Sequence, residues 1–381
     1  MIIDHLHSDK SALGACGAVC RGWLPSSRSR LFQSLELHQN NYKAFCRLLD
    51  SPFTTIAPYF RSLRILNSSK GPGNQRRWPD NTLPRLTCLV GVRSLWLCDI
   101  QWEDLRAESR HALLSSFKQV TRLSLRNASF DKFEELVELM CSYPLLEHVR
   151  FNDVFWAEKP LLAPTSTRLP AFLRRLDLDI CPKEVVIEWL FSYHSLYALD
   201  TVYLSSVTIQ QIHPIALLLR NLGHNLHHLQ IEFSSTLEED TGMPILSTSP
   251  LLSAQLYYTI LLEFFCDIVD LAHNDQLRSI RICDKMHYNL HTGTTILYKV
   301  AAVLSQIVSD HIEFVELTIF RDDLIDIAGW SSLANVFAKP QFAALRSINI
   351  KGSGRTPQDM MDIVRKGLPD CVARGILNFP S

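Results

Sequence analysis

Hydrophobic positions in this chain recur with a long period. The pattern apolar-x-x-apolar-x-apolar occurs at VRSLWL from Val92, VTRLSL from Val120, LEHVRF from Leu146, LRRLDL from Leu173, LDTVYL from Leu199 and LHHLQI from Leu226. The starts follow one another at a nearly constant step of about 27 residues, within the range of known solenoid repeats. A single match is weak in a chain that is 47% hydrophobic, but six in register identify a structural repeat. Looser copies begin at Phe32, Phe60, Leu277, Phe314 and Leu345. The step from Leu226 to Leu277 is nearly double the others and marks either a repeat without its strand or a helical insertion.

Each match alternates with period two, as a short strand does, and the segment after several of them has the helical period. In DKFEELVELMCSYP, the residues Phe133, Leu136, Val137 and Met140 form one apolar stripe, Asp131 is placed to cap the start and Pro144 marks the end. Further helices are expected over Glu184–Tyr193, Pro214–Gly223 and Ala254–Leu271, and a last one over Gln358–Leu368 that closes the array. The polar stretch Asn67–Asn81, rich in Gly, Pro and Ser, reads as a loop. One strand and one helix in each repeat of this length resemble the leucine-rich-repeat family, in which parallel strands line a concave face and helices cover the outside. That family places Asn or Cys eight residues after the first leucine. Here those positions are Ile100, Ala128, Val154, Cys181, Val207 and Ser234, so an irregular solenoid held by apolar packing is expected.

Ahead of the repeats, Ile2, Ile3, Leu6, Leu13, Cys16, Val19, Cys20 and Trp23 have helical spacing across two short helices joined at HSDKS. The second helix is expected to end at Pro25, and a third to run from Ser26 or Ser27 to Phe32. So small a hairpin buries too little to be stable without a partner or the solenoid beside it. The segment IIDHLHSDKSALGACGAVCRGWLPSSRSRLF resembles the central and C-terminal part of an F-box, through Ile3, Leu6, Leu13, Val19, Cys20, Arg21, Trp23, Leu31 and Phe32. The F-box's opening leucine-proline-x-glutamate is absent, so a truncated F-box is expected. The repeats that follow resemble the degenerate repeat region of F-box proteins numerous in mushroom-forming fungi. The resemblance implies an α/β protein with an all-α F-box module over residues 1–38 and a leucine-rich-repeat-like solenoid over 39–381. It also implies a Skp-type adaptor and a cullin as partners, with Ile2, Ile3, Leu6, Leu13, Val19, Cys20, Trp23 and Leu31 at the adaptor contact.

Charge and composition narrow the remaining classes. The formal net charge is -1, so nothing draws the whole chain toward nucleic acid or an anionic membrane. Arg21, Arg28 and Arg30 do not extend into a basic run, and Asp4, His5 and His7 interrupt the start where a signal peptide would be apolar. The most apolar segment, Leu256–Leu271, is broken by Glu263 and Asp267 and is shorter than a membrane span. The ten cysteines include no CxxC pair and read as reduced packing thiols of a cytoplasmic or nuclear protein. Cys16 with Cys20, His5 with His7, and His227 with His228 lack the further ligands of a zinc site. No G-x-S-x-G elbow, P-loop, H-E-x-x-H or dinucleotide fingerprint occurs, and neither an enzyme nor a cofactor is expected.

Alternation along the strands sends the interleaved residues to the concave face. The candidate client-binding residues there are Trp96, Arg122, Arg126, His148, Arg150, Arg175, Asp177, Tyr203 and His228. Two readings stand: Arg122, Arg126, Arg150 and Arg175 form a basic ridge that grips an acidic or phosphorylated segment, or they are ordinary exposed residues that keep the face soluble. Together these features describe a substrate-recognition subunit of a Skp-cullin-F-box ubiquitin ligase. The alternative is a repeat-only interaction scaffold that no longer docks to the ligase.

Overall fold

The computed structural model describes residues 9–19, 21–52, 55–67, 78–158, 170–192, 198–233, 264–284, 297–319, 327–352 and 357–379. Ile2, Ile3, Leu6, Cys20 and most of the Ala254–Leu271 segment fall outside them. The chain divides into two units, Met1–Leu173 with Ile180–Pro182, and Arg174–Asp179 with Lys183–Ser381.

The first unit begins with α1 (Lys10–Val19) and α2 (Leu24–Leu31) and continues with five parallel strands in chain order: β1 (Ser34–His38), β2 (Ser62–Leu66), β3 (Ser94–Cys98), β4 (Arg122–Lys132) and β5 (His148–Glu158). Between them lie α3 (Tyr42–Asp50), α4 (Trp78–Thr82), α5 (Ala107–Ser116) and α6 (Phe133–Cys141). The second unit has seven parallel strands, also in chain order: β6 (Arg175–Leu178), β7 (Thr201–Val207), β8 (His228–Phe233), β9 (Ser279–Asp284), β10 (Phe314–Ile319), β11 (Ser347–Gly352) and β12 (Leu377–Asn378). Its helices are α7 (Lys183–Phe191), α8 (Ile212–Leu222), α9 (residues 264–268), α10 (Leu297–Ser305), α11 (Ile327–Phe337), α12 (Pro357–Gly367) and α13 (Pro369–Ala373). This is the α/β leucine-rich-repeat architecture. All eleven repeat copies read from the sequence are strands, and the long step from Leu226 to Leu277 joins the adjacent strands β8 and β9.

The alternation has the expected cause. Pattern residues such as Leu95, Leu97, Leu123, Leu125, Val149, Phe151, Val202 and Leu204 are buried, and so are Ile100, Ala128, Val154, Cys181 and Val207 at the place of the family's Asn or Cys. An apolar spine therefore replaces an asparagine ladder. The residue just before that place is left-handed in several repeats, at Asp99, Asn127, Asp153 and Ser206, with φ between 48° and 62°. Short polar side chains tolerate this conformation better than branched ones, and here two of them also link neighbouring repeats, the Asn127 amide donating to Asp99 Oδ1 at 2.6 Å.

Several boundaries differ from the reading of the sequence. Pro25 lies in the first turn of α2 rather than ending a helix, where its missing N–H costs nothing. The cap of α1 is Asp9, which accepts from Ala12 N at 2.8 Å. At α6 it is Glu135, not Asp131, that closes the start, by accepting from the N–H groups of Asp131 and Lys132. Trp78–Thr82, at the end of the stretch read as a loop, is helical. Trp78 is buried against Tyr42, and Asp80 accepts from Arg106 N at 2.8 Å. The chain does not close on α12, because α13 and the two-residue β12 follow and Leu377 pairs with Ile348.

Candidate functional site

In the first unit the strand register stacks the interleaved residues into rows on the exposed face. The middle row is Glu36, Arg64, Trp96, Ser124 and Arg150, one residue per strand from β1 to β5. It is flanked by a row running Ser34, Ser62, Ser94, Arg122 and His148, and by another running His38, Leu66, Cys98, Arg126 and Asn152.

The β1–β3 side of this face is electrostatically closed. Arg64 pairs with Glu36 at 3.4 Å and stacks its guanidinium 5.1 Å from the Trp96 ring, so Trp96 is partly covered. Cys98 is buried, and that burial, more than any charge, raises its thiol pKa. The β4–β5 side is open. Ser124 is 7% exposed and forms the floor between three exposed arginines: Arg122 and Arg126 two residues to either side on β4, and Arg150 directly opposite on β5. At two residues these β4 neighbours are separated by about 7 Å, and Arg150 lies one strand spacing of about 4.8 Å away. Among the described residues, none of the three makes an ion pair. Bidentate recognition of an oxyanion is what guanidinium groups in this arrangement do well.

Arg175, the fourth member of the ridge read from the sequence, belongs to the second unit and is chemically satisfied. Its Nε and Nη2 donate to Asp177 Oδ1 and Oδ2 at 2.8 and 2.9 Å, and its guanidinium lies 4.2 Å from the Tyr203 ring. Burial on its own would lower the Arg175 pKa; the bond to Asp177 overcomes it and leaves the group raised. Asp177 is consequently buried, not presented to a partner. Across the same face Arg281 sits between Tyr203 and Phe314, at 5.9 and 5.2 Å, and Lys351 pairs with the buried Glu316 at 2.8 Å. His228 Nδ1 is 2.8 Å from Ser279 Oγ, and burial holds the imidazole pKa below its ordinary value.

In the N-terminal helices, Val19 is 69% and Trp23 39% exposed, whereas Leu13 is buried and Leu31 half-buried. Leu13 therefore packs within the unit instead of facing outward. Val19 and Trp23 are the described members of the expected adaptor contact that stand free on the surface.

Reading the interleaved strand positions missed a further set of cations, one residue before the strand starts: Arg61, Arg93, Arg174, Arg278 and Arg346. Their signal was present, as the arginine recurs at the second position of the repeat pattern in FRSL, VRSL, LRRL, LRSI and LRSI. Among the described residues, no cluster of three His, Cys, Asp or Glu side chains is placed to hold a metal, and no helix is long and apolar enough to cross a membrane.

No family model matches the chain, and no curated protein matches it. Among solved structures, it is similar to Rad7 in a complex of Rad7 and Elc1 from yeast, at 12% identity and a TM-score of 0.37, over 92% of this chain and 84% of the other. It is also similar to an internalin, InlF, of Listeria monocytogenes, at 10% identity and a TM-score of 0.32, over 82% of this chain and 79% of the other.

Proposed function

We propose that this chain is a non-catalytic substrate receptor of a Skp-cullin-F-box ubiquitin ligase, which docks the adaptor through α1 and α2 and holds a client protein on the exposed strand face of the first unit. The observation that carries the receptor reading is the set Arg122, Arg126 and Arg150 around Ser124. The face neutralises its other arginines, so three that lack a carboxylate among the described residues are best explained by an anionic partner. Exposed Val19 and Trp23, on helices whose sequence resembles an F-box, support the adaptor contact. The burial of Leu13 favours the second reading, a repeat-only interaction scaffold, because it removes one residue from that contact.

Co-purification separates the two. The ligase receptor carries adaptor and cullin with it, and Trp23→Ala with Val19→Asp releases both without lowering the melting temperature. Absence of adaptor from the wild-type complex leaves the scaffold. Charge reversal at Arg126 and Arg150 abolishes client capture in either case, and unchanged capture removes the arginines from the account.

A further inference from the structure

A second recess in the first unit lies beside the strand face, at the edge where the strands begin. It is a groove of about 1090 Å³ between α2 and the residues that precede or open the strands. The alignment of that edge follows from the backbone. The N–H groups of Arg61 and Ser62 donate to Gln33 O, those of Arg93 and Ser94 to Arg61 O, those of Thr121 and Arg122 to Arg93 O, and those of Glu147 and His148 to Thr121 O, all at 2.7–3.0 Å. Equivalent residues of successive repeats are therefore stacked at the strand spacing of about 4.8 Å.

Their charges run in one direction. The stacked position reads Gln33, Arg61, Arg93, Thr121 and Glu147, Arg122 lines the groove from the next position at the start of β4, Arg30 reaches it from α2, and Glu147 is the carboxylate of the lining, at the β5 end. The second unit provides an internal comparison. Its corresponding positions read Arg174, Asp200, His227, Arg278, Glu313 and Arg346, so acids are interspersed among the bases, and Arg346 pairs with Glu313 at 3.6 Å. At this position two arginines on adjacent strands, Arg61 and Arg93, occur in the first unit alone among the described residues, and Arg122 adds a third cation from the next position.

Arg61 is also held in place. Its Nη1 donates to the carbonyls of Pro58, Phe60 and Gly91 at 2.7, 3.1 and 3.4 Å, and a Cβ on residue 91 would collide with that nitrogen. Capping three carbonyls explains Arg61 structurally. It does not explain Arg93, which is exposed and makes no side-chain bond among the described residues, or Arg122, which is in the same position. Ser62, Ser94 and Thr121 add hydroxyls along the same wall.

We propose that this groove binds an extended acidic peptide segment carrying two oxyanion side chains three residues apart. The spacing follows from geometry. The starts of β2 and β4 are two strand spacings apart, about 10 Å, and a peptide extended as a polyproline II helix advances about 3.1 Å per residue and returns its side chains to the same face every third residue. Side chains at i and i+3 then lie over Arg61 and Arg122, with Arg93 between them. The groove crosses five strands, about 19 Å, the length of about six extended residues and more than a small anion fills. A peptide fits better than single-stranded nucleic acid, because Glu147 would repel a continuous phosphate backbone and Tyr59 is the one aromatic ring in the lining.

The test is fluorescence anisotropy with labelled nine-residue Gly/Ser/Ala peptides and the full chain. One peptide carries Glu at i and i+3, a second phosphoserine at both, and a third Gln. The two anionic peptides bind at least about tenfold more tightly than the Gln peptide, and the tighter of them identifies the oxyanion as carboxylate or phosphate. Arg93→Gln weakens binding about tenfold and Gly91→Ala weakens it by displacing Arg61. Arg126→Gln, outside the groove, leaves it unchanged, and melting curves verify that each variant is folded. Equal binding of the Gln peptide, indifference to Arg93→Gln, loss on Arg126→Gln alone, or displacement by a ten-nucleotide oligouridine at lower concentration than by unlabelled peptide each overturns the proposal. The inference rests on the receptor reading only for the origin of the segment: peptide binding without adaptor docking removes the ligase and keeps the groove, and the reverse result removes the groove alone.

Discussion

Tyr143 offers the sharpest test of how the repeats are joined. Its ring is fully buried after α6, and its hydroxyl donates at 3.0 Å to the carbonyl of Leu113, one of the last four carbonyls of α5, which lack an acceptor role inside their own helix. One repeat thereby caps the helix of the repeat before it, next to the β4–β5 register that sets the three arginines around Ser124. Tyr143→Phe removes a single oxygen and keeps the ring, so no cavity of consequence opens and the cost is that of leaving a buried carbonyl unpaired, about 1–2 kcal/mol. For a unit of this size that corresponds to a fall of about 3–6 °C in melting temperature. A second readout checks the cause. Burial raises the Tyr143 pKa above the ordinary tyrosine value, so the folded state keeps the proton while the unfolded chain loses it above a pH of about 10. A raised folded pKa gives stability that is complete below the unfolded value and is lost as pH rises past it. The gap between wild type and Tyr143→Phe in urea unfolding should therefore be constant near neutral pH and narrow above about 10. An unchanged melting temperature, or a gap that stays constant into alkali, refutes the assignment.

The other predictions concern the turns, the second unit and the arginines. Asp153→Val places a β-branched residue at φ 62° and should cost about 1–2 kcal/mol, while Asp153→Gly stays within about 0.5 kcal/mol of wild type, as thermal melting of the pair will show. His228 has its pKa lowered by burial, so its contribution to stability is complete above the ordinary histidine value of about 6.5 and is lost as pH falls below it; His228→Gln should flatten that limb of a stability-against-pH curve. Ser124→Glu puts a carboxylate among Arg122, Arg126 and Arg150, and should abolish client capture in pull-downs while raising the melting temperature at low salt more than at high salt.

The inward residues were legible because period two within a strand and a constant step between strands both follow from packing one strand and one helix per repeat. What escaped notice were features without a period of their own. Glu135 reaches back to cap α6 through a bond that any carboxylate in the first helical turn could make, and position alone favours Asp131. Trp78 lies in a polar stretch and is buried by Tyr42, from the repeat before it, a contact that no local pattern announces. The two residues of β12 are too few to show alternation; their pairing with β11 is what makes them a strand.

The candidate site was half legible, and the missing half can be stated as a rule. On a parallel sheet, each exposed side chain has four close neighbours: i-2 and i+2 on its own strand, and the register partners on the strands to either side. Arg64 has Glu36 as its partner, Arg175 has Asp177 at i+2, and Arg281 has Glu316 opposite. Within the first unit, Arg122 is bounded by Ser124, Ser94 and His148, Arg126 by Ser124, Cys98 and Asn152, and Arg150 by His148, Asn152 and Ser124, with no acid among them. Because the repeat pattern itself sets the register, those neighbours follow from aligning the copies on their leucines. Reading Arg175 together with Arg122 as one ridge counted charges without their neighbours. Counting the neighbours separates a neutralised arginine from one that waits for an external anion, and it confines the open charge on this face to β4 and β5.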